Sequence, residues 1–139
     1  MTQEPERQAA CACGRLSIRL RGEPRLVSSC CCQQCQRRTG SFFGVTAFFA
    51  REQLVETCGE ATSFRRTGDS GGAITFHFCP HCGSTVWWDP EARPGLVSVA
   101  GGAFADAHFP PPQRMVWTEH RHPWVCTPEE LALFEQNPG

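Results

Sequence analysis

The chain has 139 residues, 40% of them hydrophobic, with 13 basic and 14 acidic side chains and a formal charge of −1. That length fits one domain spanning 1–139 with a modest core. The charge balance gives no general attraction to nucleic acid or an anionic membrane, and no apolar run approaches a membrane span.

Taken in chain order, the pattern predicts a mainly β domain with short helical segments. The opening MTQEPERQAA is polar and acidic, unlike a secretory signal. GRLSIRL (14–20) alternates apolar and polar residues, as a half-buried strand does. FFGVTAFFA (42–50) is a β-branched and aromatic run suited to a buried strand. AITFHF (73–78) and STVWW (84–88) flank FCPHCG and predict a hairpin with that hexapeptide at its tip. GLVSVA (95–100) predicts another strand. RTGDSGGA (66–73), DPEARPG (89–95) and FPPPQ (109–113) read as loops, none long enough to link domains. Thr127-Pro128-Glu129-Glu130 has the form of a capping box with proline at the first helical position, and predicts a short helix.

Ten cysteines without a visible export address point to the reducing cytoplasm, where they serve as metal ligands or reactive thiols rather than disulfides. Their clustering supports this. Cys11 and Cys13 form C-x-C, Cys30, Cys32 and Cys35 form C-x-C-x-x-C, and Cys79 and Cys82 form C-x-x-C. Near neighbours reach disulfide geometry poorly and close short loops, whereas one turn can aim several thiolates at one centre. FCPHCG reads as a zinc knuckle, with Pro80 fixing φ and Gly83 free to take a positive φ. The two pairs together would make a closed four-cysteine site, leaving the 30/32/35 trio with an open position. Spacing alone does not force this division. Cys31, Cys58, His77 or His81 could close the trio as a fourth ligand.

CACG, then C-x-C-x-x-C followed by QRRTGS, then FCPHCGS, then PPPQRMVWTEHRHPW resemble the glutathione-dependent formaldehyde-activating enzyme family. That family is also called the centromere protein V-type domain. The match in order and spacing covers a core of about residues 10–125. The resemblance implies an Mss4-like β-tent of antiparallel sheets stapled by zinc. It implies two zinc ions per chain: a structural one on Cys11, Cys13, Cys79 and Cys82, and a catalytic one on Cys30, Cys32 and Cys35. The middle position of the central C-x-C is often histidine in the family and here is Cys31. The implied reaction is that of a carbon–sulfur lyase acting on thiol–aldehyde adducts such as S-hydroxymethylglutathione, with glutathione or another small thiol as co-substrate. The ligand set suits this chemistry. Zinc held by three thiolates is a weak Lewis acid toward water but lowers the pKa of an incoming thiol.

Other residues carry weaker expectations. Arg37 and Arg38 follow the trio and are candidate contacts for glutathione carboxylates, against a reading as solvated surface cations. Arg65 and Arg66 face the same choice. His77 is a candidate proton shuttle or the outward residue of an alternating strand. His81 is expected to be exposed, and Glu119, His120 and His122 are candidates for proton transfer. Trp87, Trp88, Trp117 and Trp124 are read as core or pocket walls. Cys31 is an inert turn residue or a redox-sensitive thiol, while Cys58 and Cys126 are read as small buried apolar residues. The competing functional reading is a non-catalytic binding module whose second zinc site is closed. A nucleic-acid-binding ribbon has neither the charge nor a basic face to support it.

Overall fold

The computed structural model describes residues 4–68 and 72–138. Residues 1–3 of the polar opening and 69–71 of the 66–73 loop lie outside the described residues. The strands are β1 Glu6–Ala10, β2 Ser17–Arg21, β3 Leu26–Cys30, β4 Gly44–Ala50, β5 Leu54–Cys58, β6 Thr62–Thr67, β7 Ala73–Phe78, β8 Thr85–Pro90, β9 Leu96–Ala100, β10 Arg114–Val116 and β11 Ala132–Leu133. The α-helix among the described residues, α1, is Gln33–Thr39, and three short 3₁₀ turns complete the inventory. The architecture is thus mainly β, as expected. A three-stranded sheet of order β1-β2-β5 faces an eight-stranded sheet of order β11-β10-β3-β4-β9-β8-β7-β6. Pairing is antiparallel except for β10, which runs parallel to both β3 and β11. No helix among the described residues is long and apolar enough to cross a membrane.

Alternation gives each sheet its inward face. In β2, Ile18 and Leu20 are fully buried while Arg19 and Arg21 turn out to the carboxylates of Glu6 and Glu56. Opposite them, Val27, Ala47, Phe49, Val97 and Val99 of the large sheet close the core with Val86 and Trp87. Burying each such side chain contributes roughly 1.5–3 kcal/mol. A bulge in the β7–β8 ladder, where His77 pairs with Trp87 and Phe78 with Thr85, leaves Val86 as the extra residue. Val86 and Trp87 therefore both reach the core, and Trp88 is turned to the opposite face. That opposite face carries Ser28, Cys30, Thr46, Phe48, Phe76 and Ser98, one from each alternate position of the same strands, and all of them line one cavity. The large sheet is therefore two-sided: its even face in β3, β4 and β9 belongs to the site, its odd face to the core.

The strands predicted over 14–20, 42–50, 73–78, 84–88 and 95–100 are all present, and the cysteine knuckle sits at the tip of the β7–β8 hairpin. The helix predicted from Thr127 is not formed. Leu131 N–H instead bonds Pro128 C=O in a turn, and Ala132 and Phe134 bond Gln113 and Met115 along β10. The open edge of β10 takes this segment instead, its carbonyls accepting the N–H groups that a helix would have paired internally. Cys58 and Cys126 are exposed rather than buried. Cys58 ends the edge strand β5, whose last three residues all face solvent, so position outweighs the cysteine's preference for burial.

Gly59 carries a constraint that its exposed location conceals. Its φ is +96°, and an added Cβ would stand 1.8 Å from the Arg15 carbonyl oxygen, where the end of β5 closes on the start of β2. Both effects oppose any side chain. Gly59→Ala is expected to lose about 3 kcal/mol, from left-handed strain plus overpacking. The check is a denaturant titration beside Gly14→Ala, which has a positive φ but open space around it and is expected to lose no more than about 2 kcal/mol.

Candidate metal centre and cavity

Two groups of sulfurs converge. The Sγ atoms of Cys11, Cys13, Cys79 and Cys82 all lie within 4.8 Å of one another, as do those of Cys30, Cys32 and Cys35. In the first group the turn after Cys11 is closed by Gly14 N–H to Cys11 C=O at 3.0 Å, with Gly14 at φ +81°. The turn after Cys79 repeats it: Gly83 N–H bonds Cys79 C=O at 2.8 Å, with Gly83 at φ +79°. Backbone amides point at the sulfurs, Leu16 N–H to Cys11 Sγ at 3.2 Å and His81 N–H to Cys79 Sγ at 3.4 Å. Amides so placed stabilise thiolates. The group joins the loop ahead of β2 to the tip of the β7–β8 hairpin, segments far apart in the chain.

The second group is local. Cys30 is the last residue of β3, Cys32 is the N-cap of α1, and Cys35 lies in its first turn. Cys32 takes the role usually held by Ser or Asp, and its Sγ accepts from Cys35 N–H at 3.3 Å. Gly40, at φ +71°, ends the helix with its N–H on Gln36 C=O. Thiol donation from Cys30 and then Cys35 holds the Cys32 pKa down at about 2. The same hydrogen bond to Cys32 pushes Cys30 far above the thiol range. A cluster of bare thiols thus supports one thiolate only by keeping its neighbours protonated. A divalent cation at the same point would replace those protons, and soft thiolate donors at this spacing suit zinc. Both groups fit such an ion.

None of the sequence's candidates for a fourth ligand joins the trio. Cys31 points the other way, fully buried with Met115 and Val125, and burial raises its pKa. Cys58 is exposed and His81 belongs to the knuckle turn. His77 stacks on Trp87 at 4.9 Å, with Nε2 2.8 Å from Asp89 Oδ2 and Nδ1 3.1 Å from Ser63 Oγ. It therefore lies on the face opposite the trio, in a network that Arg51 completes from Asp89 Oδ1 at 2.7 Å. Neither it nor Glu119, His120 or His122 lines the cavity beside the trio. His122 instead bonds Gln36 at 3.0 Å and braces α1.

That cavity has a volume of about 460 Å³ and opens onto Cys30, Cys32 and Cys35. Trp88, Phe76 and Trp117 form aromatic walls, and the hydroxyls of Ser28, Thr46 and Ser98 give polar points on the sheet floor. Ser98 is fully buried, and its Oγ has no hydrogen-bond partner. Arg38 enters from α1 with its guanidinium 4.3 Å from the Trp88 ring centre and 5.4 Å from that of Phe76. Gly44 makes room for it, since a Cβ there would meet the guanidinium at 3.2 Å. Burial lowers the Arg38 pKa, partly offset by the adjacent Cys35 thiol. Arg37, one residue earlier, is exposed and does not reach the cavity. Arg66 does reach it, while Arg65 is tied to Glu91 at 2.8 Å. Trp87 is core, Trp88 and Trp117 are walls, and Trp124 is neither: it is exposed against Phe42. Arg66 is the candidate of its pair that reaches the cavity, while Arg93 and Arg114 were not singled out, because a loop and a strand distant in sequence bring them there.

The model of the family described as glutathione-dependent formaldehyde-activating enzyme matches residues 6–120, which contain both cysteine groups. No individually curated protein matches the chain significantly. Among solved structures, the crystal structure of a Rhodobacter sphaeroides protein is similar at TM-score 0.52 and 20% identity, covering 75% of this chain and 91% of that one. This second likeness speaks to the fold alone. With the family match spanning most of the chain, the protein belongs to the glutathione-dependent formaldehyde-activating enzyme family.

Proposed function

We propose that the chain is a zinc-dependent carbon–sulfur lyase that makes and breaks adducts between a small thiol and a small aldehyde, glutathione and formaldehyde being the pair its family suggests. The observation that supports this most is the trio: three mutually close sulfurs facing a cavity, with no fourth protein ligand among the described residues. Cys11, Cys13, Cys79 and Cys82 would hold a structural zinc, and Cys30, Cys32 and Cys35 a catalytic one. Bound there, a zinc ion supplies an exchangeable position that lowers the pKa of an incoming thiol.

The remaining work belongs to the chain. Arg38, held over the Trp88 ring, would bind a carboxylate of the substrate and orient its sulfur toward the trio. Phe76, Trp88 and Trp117 exclude water that would compete for the aldehyde. In the forward direction the S–H bond breaks, a C–S bond forms at the carbonyl carbon, and the proton ends on the former carbonyl oxygen. In reverse the hydroxyl proton returns to sulfur as the C–S bond breaks. Free thiols and thiolate ligands suit a reducing compartment such as the cytoplasm.

Two zinc ions per chain are expected by elemental analysis of protein purified without added metal. In cobalt-substituted protein, glutathione at millimolar concentration is expected to strengthen the thiolate charge-transfer band. An unchanged spectrum would mean that the trio is closed and the chain a binding module.

The two groups should fail differently. Structural zinc contributes roughly 10–16 kcal/mol of apparent binding free energy, against a whole-domain stability of about 5–15 kcal/mol. Cys82→Ser is therefore expected to give insoluble or unfolded protein, because it opens a clasp between distant segments. Cys35→Ser loosens only a local turn and is expected to stay folded, with a modestly lower Tm, one zinc and no thiol-dependent activity. Soluble yield, circular dichroism and zinc content measured side by side decide this. Equal unfolding of both variants would make both sites structural.

A further inference from the structure

Charge inside the cavity is one-sided. Arg38, Arg66, Arg93 and Arg114 all line it, and no aspartate or glutamate among the described residues does. None of the four is in ion-pair range of a described carboxylate, whereas Arg7, Arg19, Arg21, Arg51 and Arg65 each are. They form two pairs. Arg38 and Arg66 both lie over Phe76, at 5.4 and 5.1 Å from its ring centre. Arg114, whose Nε donates to Ser28 Oγ at 3.1 Å, stands on β10 beside β3, and Arg93 joins it in the same lining.

Four guanidinium charges are more than one thiolate centre can offset. Three thiolates around a divalent cation carry a single net negative charge, and an incoming thiolate adds one more. Two positive charges then remain at separate points of the cavity, and desolvation makes an unpaired charge costly at the half-buried Arg38, Arg66 and Arg114, whereas Arg93 stands exposed at the rim. We propose that this cavity selects a thiol–aldehyde adduct bearing two acid groups, one for each arginine pair, and no ammonium group. This narrows the reading above, which it takes for the location of the substrate. Glutathione meets the first condition with its two carboxylates but carries an ammonium for which the described lining offers no counter-charge.

The test is calorimetric binding to the zinc-loaded protein. Succinate, glutarate and adipate span a range of acid–acid distances and bear no thiol. The best of them is expected to bind at least roughly tenfold more tightly than butyrate, the worth of one added charge-assisted contact. N-acetylglutathione is expected to bind more tightly than glutathione by a similar factor. Arg66→Gln and Arg114→Gln should each bring the diacid down to the level of butyrate, while Arg65→Gln, outside the cavity, should leave it unchanged. Diacids no tighter than butyrate, glutathione matching its N-acetyl form, or Arg65→Gln equalling the other two would each overturn the proposal. The lyase reading fails separately. If diacids bind as expected but the cobalt spectrum ignores every thiol, the acid-binding cavity stands and the thiol chemistry falls. If thiols shift the spectrum while diacids do not bind, the reverse holds.

Discussion

Thiols packed within 4.8 Å of one another cannot all ionise unless a positive charge stands among them. That constraint organises this protein twice. In the trio, Cys32 stays a thiolate only because Cys30 and Cys35 keep their protons and donate hydrogen bonds to it. In the four-sulfur group, backbone amides from Leu16 and His81 and the hydroxyl of Ser84 take the part of partial positive charges. Ser84 holds the Cys82 pKa at about 5. Each turn that carries these cysteines is shaped so that N–H groups converge on sulfur, which is what a cation site built from thiolates requires.

The two groups differ in what they tie together. One spans from the loop before β2 to the β7–β8 hairpin and so closes a large part of the chain on itself, where a tether offsets most loop entropy. The other lies within six residues around the start of α1 and ties almost nothing. A group that need not hold the fold together is free to face a cavity without a fourth protein ligand among the described residues. This difference between the two groups follows from sequence separation.

The large sheet supplies everything else the site needs. Because side chains alternate, the strands that give Val27, Ala47, Phe49, Val97 and Val99 to the core also give Ser28, Thr46, Phe48 and Ser98 to the cavity. The bulge at Val86 sends Trp87 one way and Trp88 the other. Their neighbours divide likewise: His77 joins Asp89, Ser63 and Arg51 on the side of Trp87, and Phe76 joins Arg38 on the side of Trp88. A register shift of one residue would exchange the two sets and destroy core and cavity together.

Much of this was legible in the linear chain. The cysteine spacings named both sulfur groups, because a tight turn is a local object and its ligands are neighbours in sequence. The strands with clean alternation or dense β-branched runs were legible for the same reason. α1 was not: QQCQRRT has no apolar stripe, since its inward contacts are sulfur and a guanidinium rather than hydrocarbon. The C-terminal segment carried a sound local helix signal, but the free edge of β10 offered hydrogen bonds that a short helix could not match. Tertiary structure alone decided which cations face the cavity. Arg38 and not Arg37, Arg66 and not Arg65, enter the cavity because helix and strand geometry turns adjacent side chains to different faces. Arg93 and Arg114 join them only because β10 runs beside β3 and the β8–β9 connection closes over it, an assembly of distant segments that no local pattern encodes.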